Sequence, residues 1–407
     1  MKCRHCHNEV KLPFLDLGTA PPSNAYLSAG QLDQPERYFP LRVLVCETCW
    51  LVQTQDFAGR EELFTEDYAY FSSTSSSWLR HAEDYVAAMT ERFGLGADSC
   101  VVEVAANDGY LLQYVAGRGI PCYGIEPTRS TADAARAKGI AIVEEFFGVA
   151  LGEKLASEGR QADLTAANNV LAHVPDINDF VGGFARLLKP QGVSTFEFPH
   201  LLRMVTDTQF DTVYHEHYSY LSLTAVENVF RSNGLRVFDV EELSTHGGSL
   251  RVYACRIDAA HAVTPRVTEM LAREESAGIT SAAFYTRFQE AAEKVKNGLM
   301  RFLLDARRDG RSVAGYGAAA KGNTMLNFMG VRGDLLEYVV DRADAKIGKF
   351  MPGSRIPIVA EARLAETRPD YIVILPWNLR DEVSAQLSYA REWGATLVTA
   401  VPVLELL

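Results

Sequence analysis

The string Tyr214-His215-Glu216-His217-Tyr218-Ser219-Tyr220 packs two imidazoles, a carboxylate and three phenols into seven residues. That density of titratable groups points to acid–base work. A neutral imidazole accepts a proton near pH 7, and a phenol can donate to a developing oxyanion. Two other readings compete. His215 and His217 are two apart, so on a strand they share a face and Glu216 points away, and the H-E-x-x-H spacing of a helical metal site is absent. A half-buried structural strand with satisfied histidines is the second alternative.

Cys3-x-x-Cys6 and Cys46-x-x-Cys49 form two matched knuckles. Each presents two thiolates on one side of a tight turn, and together they make an S4 set suited to Zn²⁺. Four protein ligands leave no open position, so the metal is expected to be structural. Disulfides conflict with a reducing compartment, and a redox Cys-x-x-Cys does not explain two pairs. His5 and His7 read as solvated or adjacent to the metal. Cys100, Cys122 and Cys255 read as isolated buried thiols.

A third constellation runs from the strand pattern Val101–Val104 into Ala105-Ala106-Asn107-Asp108-Gly109 and the helix start Tyr110-Leu111-Leu112. A strand feeding a small-residue loop into a helix brings ligand close to backbone amides. Glu126 ends the next strand, where a carboxylate can accept both ribose hydroxyls. Asn168, Asn169 and His173 lie beyond a fourth strand-like run. Ala105 and Asn107 replace two glycines of the usual E-x-G-x-G-x-G nucleoside loop. The competing reading is an ordinary strand–helix turn with an acidic strand end.

These groups need a frame. The chain has 407 residues, 47% of them hydrophobic and 23% charged, with a net charge of −12. That suits two to four soluble domains and argues against a general grip on nucleic acid. No apolar run is long enough for a membrane span, and no signal-peptide pattern opens the chain, so a cytoplasmic protein is expected. The fold class expected is α/β in three parts. Residues 1–58 hold the zinc site, 59–245 form a Rossmann-like domain with a parallel sheet, and 246–407 form a second Rossmann-like domain with a connecting helix. Three domains of its own make a monomer a reasonable expectation.

In the last part, Gly315-Tyr316-Gly317-Ala318-Ala319-Ala320 fits G-x-G-x-x-A after a strand, with Asp341 ending the next one. Lys321 and Asn323 at the helix start are candidates for substrate phosphates, ahead of simple packing and of an NAD site. Ser72 and Ser73 lie in a run of hydroxyls that reads equally as helix caps or as sugar and pyrophosphate contacts.

Taken together, the strings resemble the zinc-containing sugar C-methyltransferases of deoxysugar biosynthesis, including the C-3′-methyltransferases of the tetronitrose type. The four cysteines, Asp67–Ser75, Glu103–Leu112, Asn169–Asp176, Tyr214–Ser222, His246–Val252 and Gly315–Asn327 carry the resemblance over nearly the whole chain. It implies S-adenosylmethionine as cofactor, with Glu103, Ala105, Asn107, Asp108, Gly109, Tyr110, Leu111, Glu126 and Asn169 around it. It implies a nucleotide-linked keto-deoxysugar of the dTDP type as partner. His217 becomes the general base, with Glu216, Tyr214, Tyr68 and His173 as further active-site groups. The chemistry expected is proton abstraction beside a 4-keto group, an enolate, and attack of C3 on the sulfonium methyl. The alternatives are an NAD-dependent oxidoreductase using the Gly315–Ala320 turn, and a non-catalytic zinc-ribbon interaction protein with a degenerate methyltransferase domain.

Overall fold

Three sheets carry the chain in a computed structural model that describes residues 1–57 and 71–407. Tyr68 lies outside the described residues. The N-terminal strands are β1 (Leu12–Ala20), β2 (Phe39–Val45) and β3 (Val52–Thr54). Eight strands follow: β4 (Val101–Val104), β5 (Cys122–Ile125), β6 (Ile142–Val143), β7 (Ala162–Asn168), β8 (Leu188–Pro199), β9 (Ser219–Tyr220), β10 (Leu235–Leu243) and β11 (Ser249–Arg256). The last six are β12 (Val313–Tyr316), β13 (Val339–Asp341), β14 (Ile358–Ala360), β15 (Tyr371–Ile374), β16 (Thr396–Thr399) and β17 (Glu405–Leu406).

The central sheet has the order β10-β11-β8-β7-β4-β5-β6. Its strands from β6 to β8 are parallel, as the alternation of strands and helices predicts. Burial on both faces explains why β4 reads as an apolar run. The other edge is antiparallel, because β10 turns back into β11, which pairs with β8. The expected boundary at 245/246 therefore falls inside one sheet. Leu235 opposes Arg256 and Leu243 opposes Ser249 across it. The ladder bonds of β8 to β11 carry the central layer on to Arg256.

The N-terminal sheet has the order β1-β2-β3-β9. Its last strand comes from the middle of the chain, with Val52 opposite Tyr220 and Gln53 opposite Ser219. The zinc-bearing unit thus holds the end of the acid–base string in its own sheet. The C-terminal sheet, β14-β13-β12-β15-β16-β17, is parallel except for β17. The expected helical stretch near 281–308 forms two helices, Ala282–Tyr285 and Phe288–Arg308. Phe288 stacks on Phe14 of β1, with ring centroids 4.6 Å apart, and Phe14 meets Tyr285 edge-on. This connector therefore buries its apolar face against the N-terminal sheet, and one core spans both units. Among the described residues, no helix is long and apolar enough to cross a membrane.

Candidate active site

The two knuckles close on one another. His7 N–H donates to the Cys3 carbonyl (3.1 Å) and Trp50 N–H to the Cys46 carbonyl (2.8 Å), and His7 and Trp50 both take φ of +60°. The thiols lie 3.6 Å apart for Cys3 and Cys49 and 3.5 Å for Cys6 and Cys46, and all four sulfurs fall within 4.8 Å of one another. A tetrahedron with Zn–S of about 2.3 Å has edges of about 3.8 Å. The donor set and spacing fit zinc. His5 bonds instead to Asn178 (Nδ1 to Oδ1, 2.8 Å).

The loop after β4 keeps its special backbone without the two glycines. Ala105 and Asn107 stand at φ +60° and +49°, and Gly109 at +74°. Asparagine tolerates that region, and alanine occupies it at a cost of about 1 kcal/mol. The loop is therefore formed rather than degenerate. Glu126 accepts from Asn107 N–H and Thr128 N–H, both at 2.9 Å. Three carboxyls converge here. Glu103 is fully buried against Tyr110, and Oδ1 of Asp108 is buried without a hydrogen-bond partner among the described residues. Burial pushes Glu103 well above the carboxylate range, with Tyr110 opposing and the charges of Asp108 and Glu126 adding to the rise. Burial also raises Glu126. Among the described residues, these three acids make one ion pair, with Lys138 3.3 Å from Asp108. Buried acids without full compensation suit a cationic ligand. Tyr110 and Leu111 are buried beneath the loop, and Asn168 Nδ2 donates to the Tyr110 hydroxyl (3.3 Å).

Ser72 and Ser73 belong to this loop's support. Their backbone N–H groups donate to Asn107 Oδ1 (2.9 Å) and Asp108 Oδ2 (3.3 Å). The capping reading holds one step along, where Ser75 Oγ accepts from Trp78 N–H at the start of the helix Ser76–Phe93.

The acid–base string is a turn, not a strand, up to Tyr218, so His215 and His217 do not share a face. His215 Nε2 lies 3.2 Å from the Phe39 carbonyl. His217 is buried, and its Nδ1–H donates to the Thr212 carbonyl at 3.0 Å. The neutral ring therefore carries its proton on Nδ1 and leaves Nε2 as a bare acceptor. Burial drives its pKa well below the usual histidine value, and the neighbouring His173, Lys321 and His246 lower it further against the Thr212 bond. His173 packs edge-on at 4.5 Å and Tyr214 lies at 3.9 Å between ring centroids. His173 donates from Nδ1 to the Glu216 carbonyl (2.9 Å), and burial holds its pKa at about 4. Glu216 does not orient the imidazole. Its buried carboxylate accepts from Asn24 N–H (3.3 Å) and Nδ2 (3.1 Å). Thr54 Oγ1 donates to the His217 carbonyl at 2.6 Å, so the N-terminal unit grips the backbone of His217 directly.

From the C-terminal side, Lys321 is half-buried beside this cluster. Its Nζ lies 3.3 Å from Asn378 Oδ1, 3.5 Å from the His246 carbonyl and 4.9 Å from the Trp377 ring centroid. Asn323 is fully buried and ties units together, with Nδ2 donating to the Ser23 carbonyl at 2.6 Å. It does not face an open phosphate site.

Several neighbours escaped the motif reading. Asn24 and Thr54 are remote in sequence from the turn they hold. Fully buried Glu197 collects His81 (2.8 Å), Arg251 (3.0 Å) and Thr245 Oγ1 (2.9 Å). Only His246 carried a signal, as a histidine before two glycines.

Three family models match the chain in series. Residues 3–64 match the family described as "Putative zinc binding domain", 78–240 "Methyltransferase domain" and 244–402 "C-methyltransferase C-terminal domain". The C-methyltransferase NovU of Streptomyces niveus is 34% identical over 401 residues, covering 98% of this chain and 95% of that one. A ubiquinone biosynthesis O-methyltransferase of Bartonella tribocorum is 27% identical over 23% of this chain and 38% of its own. Magnesium protoporphyrin IX methyltransferase of Synechocystis PCC 6803, solved with bound SAM, has a TM-score of 0.34 and 16% identity, covering 44% of this chain and 79% of that one.

Proposed function

Because this chain belongs to the family of zinc-containing, S-adenosylmethionine-dependent C-methyltransferases, we propose that it methylates C3 of a dTDP-linked 4-keto-deoxysugar. The observation that carries the reading is His217. It is a buried, neutral imidazole whose Nδ1–H is tied to Thr212 and whose Nε2 is left to accept.

A carbon beside a ketone loses its proton because the charge passes to oxygen. His217 Nε2 takes that proton, and its Nδ1–H bond to Thr212 fixes the ring while it does so. Tyr214 and His173 wall the imidazole, and Glu216 with Asn24 anchors the turn. Glu103, Asp108, Glu126 and Asn169 would hold S-adenosylmethionine, which supplies an electrophilic methyl group. The chain's remaining task is positioning and the exclusion of water. Tyr68 is assigned to this site on its place in the Asp67–Ser75 string. Lys321 is assigned to the substrate.

The NAD reading is disfavoured by the Gly315–Ala320 turn. Asp341 there accepts from Ala318 N–H and Ala343 N–H, both at 2.8 Å, and a Cβ on Gly317 would meet Pro376 at 2.6 Å. The formed loop at Ala105–Gly109 disfavours a non-catalytic role.

Incubating the protein with S-adenosylmethionine and a dTDP-4-keto-deoxysugar is expected to give a product one methyl group heavier, with the new carbon on C3 by NMR. His217→Ala should lower turnover by about 10²–10⁴-fold and leave S-adenosylhomocysteine affinity within about threefold. Retained turnover in that variant rejects the base assignment.

A further inference from the structure

We infer that His246 is a second catalytic imidazole, donating a hydrogen bond to the enolate oxygen of the sugar while His217 takes the proton. The inference rests on the reading above and deepens it.

His246 and Asn169 are both held in the left-handed region, at φ +55° and +54°. Such a conformation in a non-glycine residue costs about 1–3 kcal/mol and persists only where the surroundings over-determine it. Here they do. Thr245 Oγ1 donates to Glu197, and the Thr245 carbonyl accepts from Ser249 Oγ (2.9 Å) and Gly248 N–H (2.9 Å). The His246 carbonyl faces Lys321, the Gly247 carbonyl accepts from Gln209 (2.7 Å), and the Gly248 carbonyl accepts from His200 N–H (3.0 Å). A Cβ on Gly247 would meet Trp377 at 2.5 Å, and one on Gly248 would meet Arg203 at 2.8 Å. Glycine is required at both places because the turn is clamped from two sides.

The two strained residues meet side chain to side chain. Asn169 Nδ2 lies 3.1 Å from His246 Nε2. Asn169 N–H is itself fixed by the Glu197 carbonyl at 2.7 Å. With the amide nitrogen facing Nε2, the neutral ring carries its proton on Nδ1. That N–H has no hydrogen-bond partner among the described residues. Burial, with Lys321 adding, lowers the ring's pKa to about 4, so it stays neutral at working pH. Asn169 follows β7 at the cofactor end of the sheet, four residues before His173, and His246 perturbs His217 electrostatically. Two neutral rings with opposite free functions, an acceptor at His217 and a donor at His246, thus lie within electrostatic reach of each other, linked through Asn169 and through His173, which packs on His217. A neutral imidazole can donate to an oxygen that gains charge and is not itself consumed.

The step balances within the substrate and the chain. The proton passes to His217 Nε2, the C–H electron pair forms the new C=C bond, and the carbonyl pair moves to oxygen, where His246 Nδ1–H meets it.

The test needs no methyl transfer. dTDP-4-keto-6-deoxyglucose is incubated in D₂O with the enzyme and S-adenosylhomocysteine, and deuterium at the carbons beside the ketone is followed by NMR. His246→Ala should slow exchange about 100-fold while cofactor affinity stays within about threefold. His246→Asn keeps an N–H donor and tolerates the left-handed backbone, so it should recover exchange to within about tenfold of wild type. Exchange at the wild-type rate in His246→Ala overturns the assignment. So does a parallel fall of exchange, cofactor affinity and melting temperature in both variants, which is what a purely structural role gives. Absence of exchange in the wild-type enzyme instead refutes the enolate reading of the function itself.

Discussion

The central and C-terminal sheets build the same local device at their carboxyl ends. After β4, a loop N–H (Asn107) and an N–H two residues on (Thr128) both donate to Glu126 at the end of β5. After β12, Ala318 and Ala343 do the same to Asp341 at the end of β13. What surrounds each acid differs. Glu126 has Glu103, buried against Tyr110, and Asp108 for neighbours, and Asp108 Oδ1 makes no hydrogen bond among the described residues. Asp341 has Lys346 at 3.6 Å, and Lys346 and Tyr26 both donate to the Ala318 carbonyl. Pro376 and Leu375 occupy the space beside Gly317 and Gly322. One loop gathers three buried or nearly buried acids around a single lysine, and the other pairs its acid with Lys346 and packs against Pro376 and Leu375. A glycine-rich turn with a distal acid is therefore a way of joining strand to helix.

The largest effect that sharpens this contrast comes from the zinc unit, because the central site leans on it through β3 and β9. Cys46→Ser is expected to remove the bound zinc, seen by metal analysis, and to abolish turnover with loss of the Thr54 grip on His217. One zinc still bound would contradict the S4 site. Next in size is ligand stabilisation. S-adenosylhomocysteine at 100 times its dissociation constant should stabilise the fold by about 2.7 kcal/mol, read as a rise in melting temperature. NAD at the same concentration should give no shift, and a shift would reopen the C-terminal turn.

The smallest effect near neutrality is that of pH. His173 and His246 have folded pKa values of about 4, and His217 is also lowered, all below the ordinary value near 6.5. Below that value the unfolded chain takes up protons that the folded chain refuses. Stability is thus complete above about pH 6.5 and falls as pH drops toward 4. Urea titrations across that range measure it. The same shift keeps His217 unprotonated, so kcat/KM should show no acid-side inflection at pH 6.5.

Much of this was legible along the chain because its signals are local. The cysteine knuckles, the β4 loop and Glu126 each lie within one turn or one strand–helix unit. The turn at Tyr214–Tyr220 could be located but not shaped, since its conformation depends on Asn24, Thr54 and Thr324, all distant in sequence. The central sheet's reach to Arg256 was hidden for a similar reason. Its strands β10 and β11 pair antiparallel with no α-helix between them, so the strand–helix alternation that marks the rest of the sheet stops there. His246 was visible only as part of a string, because its strain and its bond to Asn169 are tertiary.

The contrast between the two loops is tested most directly by titrating S-adenosylhomocysteine calorimetrically into Glu126→Ala and Asp341→Ala. Loss of a charged hydrogen-bond partner is worth about 1.5–3 kcal/mol, so Glu126→Ala should weaken binding about 10- to 100-fold, and Asp341→Ala should bind as the wild type does. Unchanged affinity in Glu126→Ala, with the loss appearing in Asp341→Ala, would contradict the assignment of the cofactor to the central sheet.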